Sequence, residues 1–599
     1  MSLLERRCWE WAAWIVPAFL YVALIVMGVY VCRDAINPDA VCYIRRALYL
    51  SHGDIAHSIS GYWSPLFSWC LCPLMYFHVP GLLAARIVLA TWGLAYVLIF
   101  HLFLKRFLGI HPVWRLPAVL IVAILAVRLA LVVISPDLAM AGLLLLYLTI
   151  VSDERLLHRR RLPMAAGLIG GVAYLAKAFV FPYFLVHFPA TVIYRCIVKR
   201  QSGAASIPRP TMRRAIATAL IGCASFAMPA VPWICGLHGQ YQRWMFSTAG
   251  PMNHANMAPR GFKRGGPPLF GAVPDPFIIR NEITDWGEHP DWSPFHSGAY
   301  FKHQLKIIGG NANLILAAIG ASAGIFVGDL VLGVAALLGL LYGWSRLGDA
   351  VCRRGGAAGP PSRLAAVFAP AVTDIHKIIW LWLTAMLYTA PFLLVFYESR
   401  YTDCILIPLS IMLAMGLCAT VGRLCGAKAR DVSGEPRRQA WPGSTSIVGC
   451  LIVPLVILAA FAYAQRKQTI HHIVHARPSV YPEIARKLAD IGLCGRLAST
   501  DRVCGLFVAF LVDGKFVYFP KVQLSGELKL SSAEVERQLA EVDARTLLIW
   551  DDPLALSAKD GANYDNVQVA NAIVQHGWDQ RGCVALPSGD VRIYTRRMP

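Results

Sequence analysis

Residues 11–32 form an unbroken run of 22 without a single Asp, Glu, Lys or Arg. No other feature limits the fold so strongly. At helical rise such a run covers about 33 Å, the thickness of a bilayer's hydrocarbon layer. It is too long for a signal-peptide core and no small-residue cleavage site follows it, so it reads as a true first span. Further apolar runs lie at about 83–104, 113–133, 136–151, 215–235, 378–396, 402–421 and 446–464. The composition agrees: 57% of the 599 residues are apolar and 15% charged, with a mean hydropathy of +0.52. A soluble protein cannot hide that much apolar surface, and disordered, collagen-like and disulfide-dense secreted chains are excluded with it. The chain reads as a polytopic α-helical membrane protein.

Three stretches depart from a simple span. Residues 63–79 are short, aromatic and flanked by prolines, the pattern of a segment that dips into the interface. Residues 163–195 are too long for one crossing and carry Lys177 and Pro182 in their middle. They read as two short helices meeting near Lys177 at the outer face. Residues 311–344 contain glycines and Asp329 and read as a broken helix with one net crossing. The expectation is about eleven transmembrane helices plus juxtamembrane helices.

The formal charge of +21 fits this topology. Arg6 and Arg7 place the N-terminus inside, because Lys and Arg gather in cytoplasmic segments. The inner segments 1–10, 105–115, 152–163, 195–214, 346–377 and 423–438 hold 25 of the 56 Lys and Arg. The short outer segments 33–62, 134–136 and 397–401 hold four. The excess is therefore a signal of orientation in a plasma (inner) membrane, and no nucleic-acid partner is expected.

An odd number of crossings leaves residues 466–599 outside. There the pattern changes to amphipathic helices (YPEIARKLADIGL, SSAEVERQLAEV) alternating with strand-like runs (FVAFLVDGKFVYFP, TLLIWDD, VRIYTRR). That alternation predicts a small extracytoplasmic α/β domain after a membrane domain of 1–465. It carries no GxGxxG or GxxxxGK[ST] motif, and the chain has no internal repeat of the transporter kind. The 16 cysteines show no zinc spacing. Most lie in apolar runs, and Cys494, Cys504 and Cys583 leave room for one disulfide.

Candidate chemistry lies where charges break the apolar pattern on the outer side. The loop 33–62 holds Asp34, Asp39 and Asp54, and Asp39 opens an amphipathic stretch with Tyr43, Ala47 and Leu50 at helical spacing. A carboxylate there can act as a general base on an attacking hydroxyl, or simply cap a helix. Asp137 begins a span, where the helix dipole favours a negative charge. Lys177 sits among apolar residues at a helix break, so it either snorkels or holds an anion such as phosphate. The turn FYESRY offers Arg400 as a fork for phosphate or carboxylate, with Glu398 beside it as a local partner. Arg86 also follows a turn at the outer face, where snorkelling explains it equally well. The second outer loop, 236–305, holds Glu288, His289, Asp291, His296 and His303, whose chemistry suits a divalent cation although their spacing matches no zinc pattern. Its Trp and Tyr residues suit sugar rings or the bilayer surface.

In order and sidedness these segments resemble the GT-C superfamily of membrane glycosyltransferases, especially the branch with protein O-mannosyltransferases and lipid A aminoarabinose transferases. The likeness is carried by PDAVCYIRRALYLSHGD…GYWSPLFSW, AARIVLATWGLAYVLIFHLFLKRFLG, SPDLAMAGLLLLYL, GVAYLAKAFVFPYF, the FSTAG…WSPF loop and YESRYTDCILIPLSIMLA. The resemblance implies an enzyme that takes a sugar from a polyprenyl-phosphate donor and passes it, with inversion, to a hydroxyl on a lipid, glycan or protein acceptor. It implies Asp39 as general base with Asp34 second, Asp137 as a further acidic position, and Lys177 and Arg400 as phosphate ligands. Tyr43 and Glu398 join the substrate-binding set. Many relatives carry Asp-Glu where this chain has Asp39-Ala40, which leaves acceptor class and any divalent-metal requirement open. The alternative class is a carrier or flippase for lipid-linked glycans, for which ionisable residues near mid-membrane would be expected.

Overall fold

The computed structural model describes residues 3–32, 34–109, 112–201, 211–255, 257–259, 292–315, 375–395, 397–398, 400–401, 403–413, 415, 480–492, 496–512, 515–518, 531–541, 543–550, 562–575, 577–586 and 589–597. Asp329, Glu288, His289, Asp291 and Cys494, and the expected span 446–464, lie outside the described residues.

The chain begins with α1 (Leu3–Val31), which continues through Pro17. Helices α2 (Pro38–Ser51), α3 (Ile55–Ser58) and α4 (Leu66–Tyr76) follow in the first loop region. The membrane body continues with α5 (Gly81–Phe107), α6 (Pro112–Val132), α7 (Asp137–Val151), α8 (Arg161–Ala176), α9 (Val180–Gln201) and α10 (Met212–Tyr241). After the short α11 (Ala249–Ala255) come helical residues 298–315, here α12, then α13 (Ile375–Leu394) and α14 (Asp403–Leu413). Six helices among the described residues are long and apolar enough to cross a membrane, and four apolar helices are shorter. This is a membrane protein.

The shorter helices have physical reasons. At 11 residues α4 spans only about 16 Å, so the aromatic 63–79 segment does not cross. The 163–195 stretch is two helices, and the break between α8 and α9 falls at residues 177–179. At 15 residues α7 is too short to reach both interfaces, but nearly all its side chains are buried inside the bundle. A helix that is apolar all round belongs to a core and need not match the bilayer thickness. α8 packs against α10 through small residues. A Cβ on Gly167 would strike the Gly222 carbonyl oxygen, and one on Gly171 would lie 2.6 Å from the Phe226 carbonyl oxygen. The two glycines, one turn apart, let the backbones touch.

From residue 480 the structure changes to α15 (Val480–Asp490), β1 (Arg496–Ser499), α16 (Arg502–Leu511), β2 (Lys515–Tyr518), α17 (Ser532–Glu541), β3 (Ala544–Trp550), α18 (Ala562–Val574), β4 (Trp578–Leu586) and β5 (Gly589–Arg596). The sheet order is β2-β1-β3-β5-β4, parallel across β2, β1 and β3 and antiparallel at β3–β5 and β4–β5. Alternate strand residues face opposite ways. Leu497, Leu548 and Val591 pack on α15 and α16. Ala498, Leu547 and Ile549 pack on α17 and α18. Val41 of α2 is fully buried in the first of these cores, so the helix that begins at Pro38 touches both the membrane body and the sheet unit. Cys583 is a free thiol, and Cys504 Sγ lies 3.4 Å from the Tyr481 hydroxyl.

Candidate active site

Two helix starts are pinned to each other. Asn37 precedes Pro38, whose fixed φ and missing N–H suit a first helical residue. The Asn37 side chain donates to the Ile134 carbonyl at 3.2 Å and accepts from the Ile134 amide at 2.9 Å. Ile134 belongs to the turn that delivers Asp137, so the start of α2 and the start of α7 are held side by side. Asp39 lies in the first turn of α2 and Asp137 opens α7, and both carboxylates gain from the helix dipole.

Two cations from distant segments close on these acids. Lys177 is the extended residue between α8 and α9, and its Nζ donates to Asp137 Oδ1. Arg400 Nη2 donates to Asp39 Oδ2 at 2.7 Å and its Nε donates to Glu398 Oε2 at 2.5 Å. The same Nε lies 4.0 Å from Asp137 Oδ2. Ser135 Oγ donates to that oxygen at 2.8 Å. The Tyr401 ring lies under Lys177, with Nζ 3.8 Å from its centroid, and 5.2 Å from the Arg400 guanidinium carbon. Asp39, Asp137, Lys177, Glu398 and Arg400 thus form one contiguous cluster of three carboxylates and two cations.

Burial differs within the cluster. Asp137 is almost wholly enclosed at 3% exposure, whereas the side chains of Asp39, Lys177 and Arg400 keep between 17% and 23%. The accessible side is therefore the one that presents Asp39, Lys177 and Arg400. Burial alone would lower the Arg400 pKa, but Asp39 and Asp137 raise it well above the usual guanidinium range, so it stays charged. Tyr43 is buried one turn after Asp39, edge-on to Trp63 at 5.2 Å and Phe67 at 5.4 Å. Burial first, and then the charges of Asp39 and Asp137, push its phenol well above the ordinary range and keep it a proton donor.

Of the residues singled out from sequence, Asp34 lies outside the contacts just described, in the turn after α1. Arg86 is buried and donates to the carbonyls of Cys32, Ala35, Ala130 and Leu131, so it braces the ends of α1 and α6 instead of snorkelling. Among the described residues no three His, Cys, Asp or Glu side chains gather as metal ligands. His303 donates to the Met257 carbonyl at 2.7 Å. Ser135 and Tyr401 were missed. A serine two residues before an acid and a tyrosine after an arginine are too common to signal anything before the contact is known.

No protein-family model matches the sequence, and neither does any curated protein. Solved structures do. The oligosaccharyltransferase of Archaeoglobus fulgidus is similar at a TM-score of 0.51 and 11% identity, over 94% of this chain and 72% of that one. The chain shares the fold of that membrane-embedded structure. Two structures of ArnT from Cupriavidus metallidurans, apo and bound to undecaprenyl phosphate, match at TM-scores of 0.49 and 0.48 with 15% identity. They cover 96% and 97% of this chain and 97% and 98% of theirs. At these identities the likeness is one of fold alone.

Proposed function

We propose that the protein is a glycosyltransferase that moves a sugar from a polyprenyl-phosphate donor to a hydroxyl acceptor. The observation that carries this reading is the contact of Arg400 with Asp39 beside the Lys177–Asp137 pair, which joins two cations and two acids from four separate segments. A structural ion pair needs two partners. Two acids at helix starts, with two cations beside them and three of the four charges partly accessible, match the needs of an anionic substrate and a proton acceptor.

In this reading the donor phosphate takes the place of carboxylates on Arg400 and accepts a further proton of the Lys177 ammonium, which has three to give. Arg400 is then drawn from Asp39 Oδ2, and that oxygen becomes free to receive a proton. The acceptor hydroxyl attacks the anomeric carbon. The new carbon–oxygen bond forms as the bond to the phosphate oxygen breaks, the proton passes to Asp39, and polyprenyl phosphate leaves carrying the electron pair. Inversion follows from attack opposite the leaving group. Asp137 stays behind as the anchor of Lys177, and Tyr43, held protonated, serves as a hydrogen-bond donor to the substrate. Glu398 shares Arg400 until the phosphate arrives.

The test is Asp39→Asn in the full-length protein with labelled polyprenyl-phosphate sugars. Expected is donor binding within a fewfold of the unmodified protein and loss of transfer by about 100-fold or more, the range of a lost general base. Undiminished transfer would remove Asp39 from the chemistry.

A further inference from the structure

The helix that delivers Arg400 is finished by side chains from elsewhere in the chain. Near the end of an α-helix the last carbonyls find no amide within the helix. Four consecutive carbonyls, those of Phe392, Leu393 and Leu394 at the end of α13 and of Val395 just beyond it, are met instead by two amide side chains of α12. Asn311 Nδ2 shares its two protons among the carbonyl oxygens of Phe392 at 3.2 Å, Leu393 at 3.1 Å and Val395 at 2.7 Å. Gln304 Nε2 donates to Leu394 at 3.0 Å. Both side chains are nine-tenths buried or more. Withdrawing them would strand carbonyls in apolar surroundings, so α12 and the end of α13 move as one body.

The clamp continues on both sides. Gln304 Oε1 accepts from His254 Nε2 at 3.1 Å, and the His254 ring stacks on Trp292 at 4.3 Å and 9°. Trp292 Nε1 donates to the His254 carbonyl at 3.0 Å. The two described ends of the second loop are thereby tied to each other and to α13. Past the clamped carbonyls come Glu398 and Arg400, and Tyr388 of α13 donates to the Tyr401 carbonyl at 2.5 Å. The segment bearing Arg400 is held at its start by Gln304 and Asn311 and at its end by Tyr388.

We propose that Gln304 and Asn311 are positioning residues for Arg400, through which segments 249–255 and 292–315 set the grip of the site on an anionic lipid phosphate. The nature of that anion rests on the function proposed above; the clamp does not. The experiment compares the full-length protein with Asn311→Leu and Gln304→Leu, made separately so that one folded variant suffices, and with Asn311→Gln, which keeps the donor. Two readouts are taken: hydrogen–deuterium exchange over residues 392–401, and affinity for undecaprenyl phosphate as the probe. Expected for the leucine variants are faster exchange in 392–401 with α5 unchanged and affinity about tenfold weaker, with Asn311→Gln restoring both to within about twofold. Unchanged exchange overturns the clamp. Faster exchange with undiminished affinity overturns the positioning of Arg400. An unmodified protein that does not bind the lipid, alongside faster exchange in the variants, upholds the clamp and refutes the function proposed above.

Discussion

Arg400 holds Asp39 through Nη2 and Glu398 through Nε, two nitrogens of one rigid plane. Lysine offers a single point charge and cannot keep that spacing. Arg400→Lys is therefore expected to raise the KM for a polyprenyl-phosphate donor by about tenfold or more, since a charge-assisted hydrogen bond is worth about 1.5–3 kcal/mol. Steady-state kinetics with the donor varied would show it, and an unaltered KM would contradict the two-point grip. Most of this cluster was legible one residue at a time. Asp137, Lys177 and Arg400 stand out because charges inside or beside apolar spans are costly and therefore few. Their mutual arrangement was not legible. Asp39 and Arg400 are 361 positions apart in the chain, and nothing local in either segment records the other. Glu398 illustrates the limit: it fits a local partner of Arg400 and a member of the cluster equally well, and the geometry makes it both.

At the scale of elements, the helices were readable where hydrophobic periodicity met a breaker. Lys177 and the nearby Pro182 marked the division of α8 from α9, and the prolines around 63–79 marked a segment too short to cross. α7 was harder, because a 15-residue apolar helix looks like a span until its burial on all sides is known. Helix contacts were not readable at all. The Gly167–Gly171 face of α8 meets Gly222, Phe226 and Pro229 of α10 without room for a side chain. Gly167→Val is expected to destabilise the bundle by roughly 1–3 kcal/mol, the usual cost of overpacking a tight contact. Thermal unfolding in detergent would register it as a lower midpoint, and an unchanged midpoint would deny that this contact is tight.

At the scale of the whole molecule, α2 joins two bodies. Residues 39 and 41 point about 200° apart on a helix. Asp39 accordingly faces the cluster, while Val41 enters the core formed with α15, α16 and the sheet. Arg45, one turn beyond Val41, lies over the Phe510 ring of α16 at 5.7 Å. After residue 480 the helices α15 and α17 and the apolar strand β3 were legible from hydrophobic patterning. Residues 507–511, read as strand-like, lie instead in α16, because a continuous apolar run does not distinguish strand from helix. That this unit would seat itself on the helix carrying Asp39 was not legible, since Val41 reads from sequence as any apolar residue of an amphipathic helix. Among the described residues, Lys177 and Arg400 are basic residues bound to acids where four segments meet. The most direct measurement is the structure of the full-length protein with a non-hydrolysable polyprenyl-phosphate sugar. Expected is the phosphate within about 3.2 Å of both Lys177 Nζ and Arg400, with Asp39 released from Arg400 and turned to the anomeric carbon. A phosphate bound elsewhere, with the Arg400–Asp39 pair intact, would contradict the account.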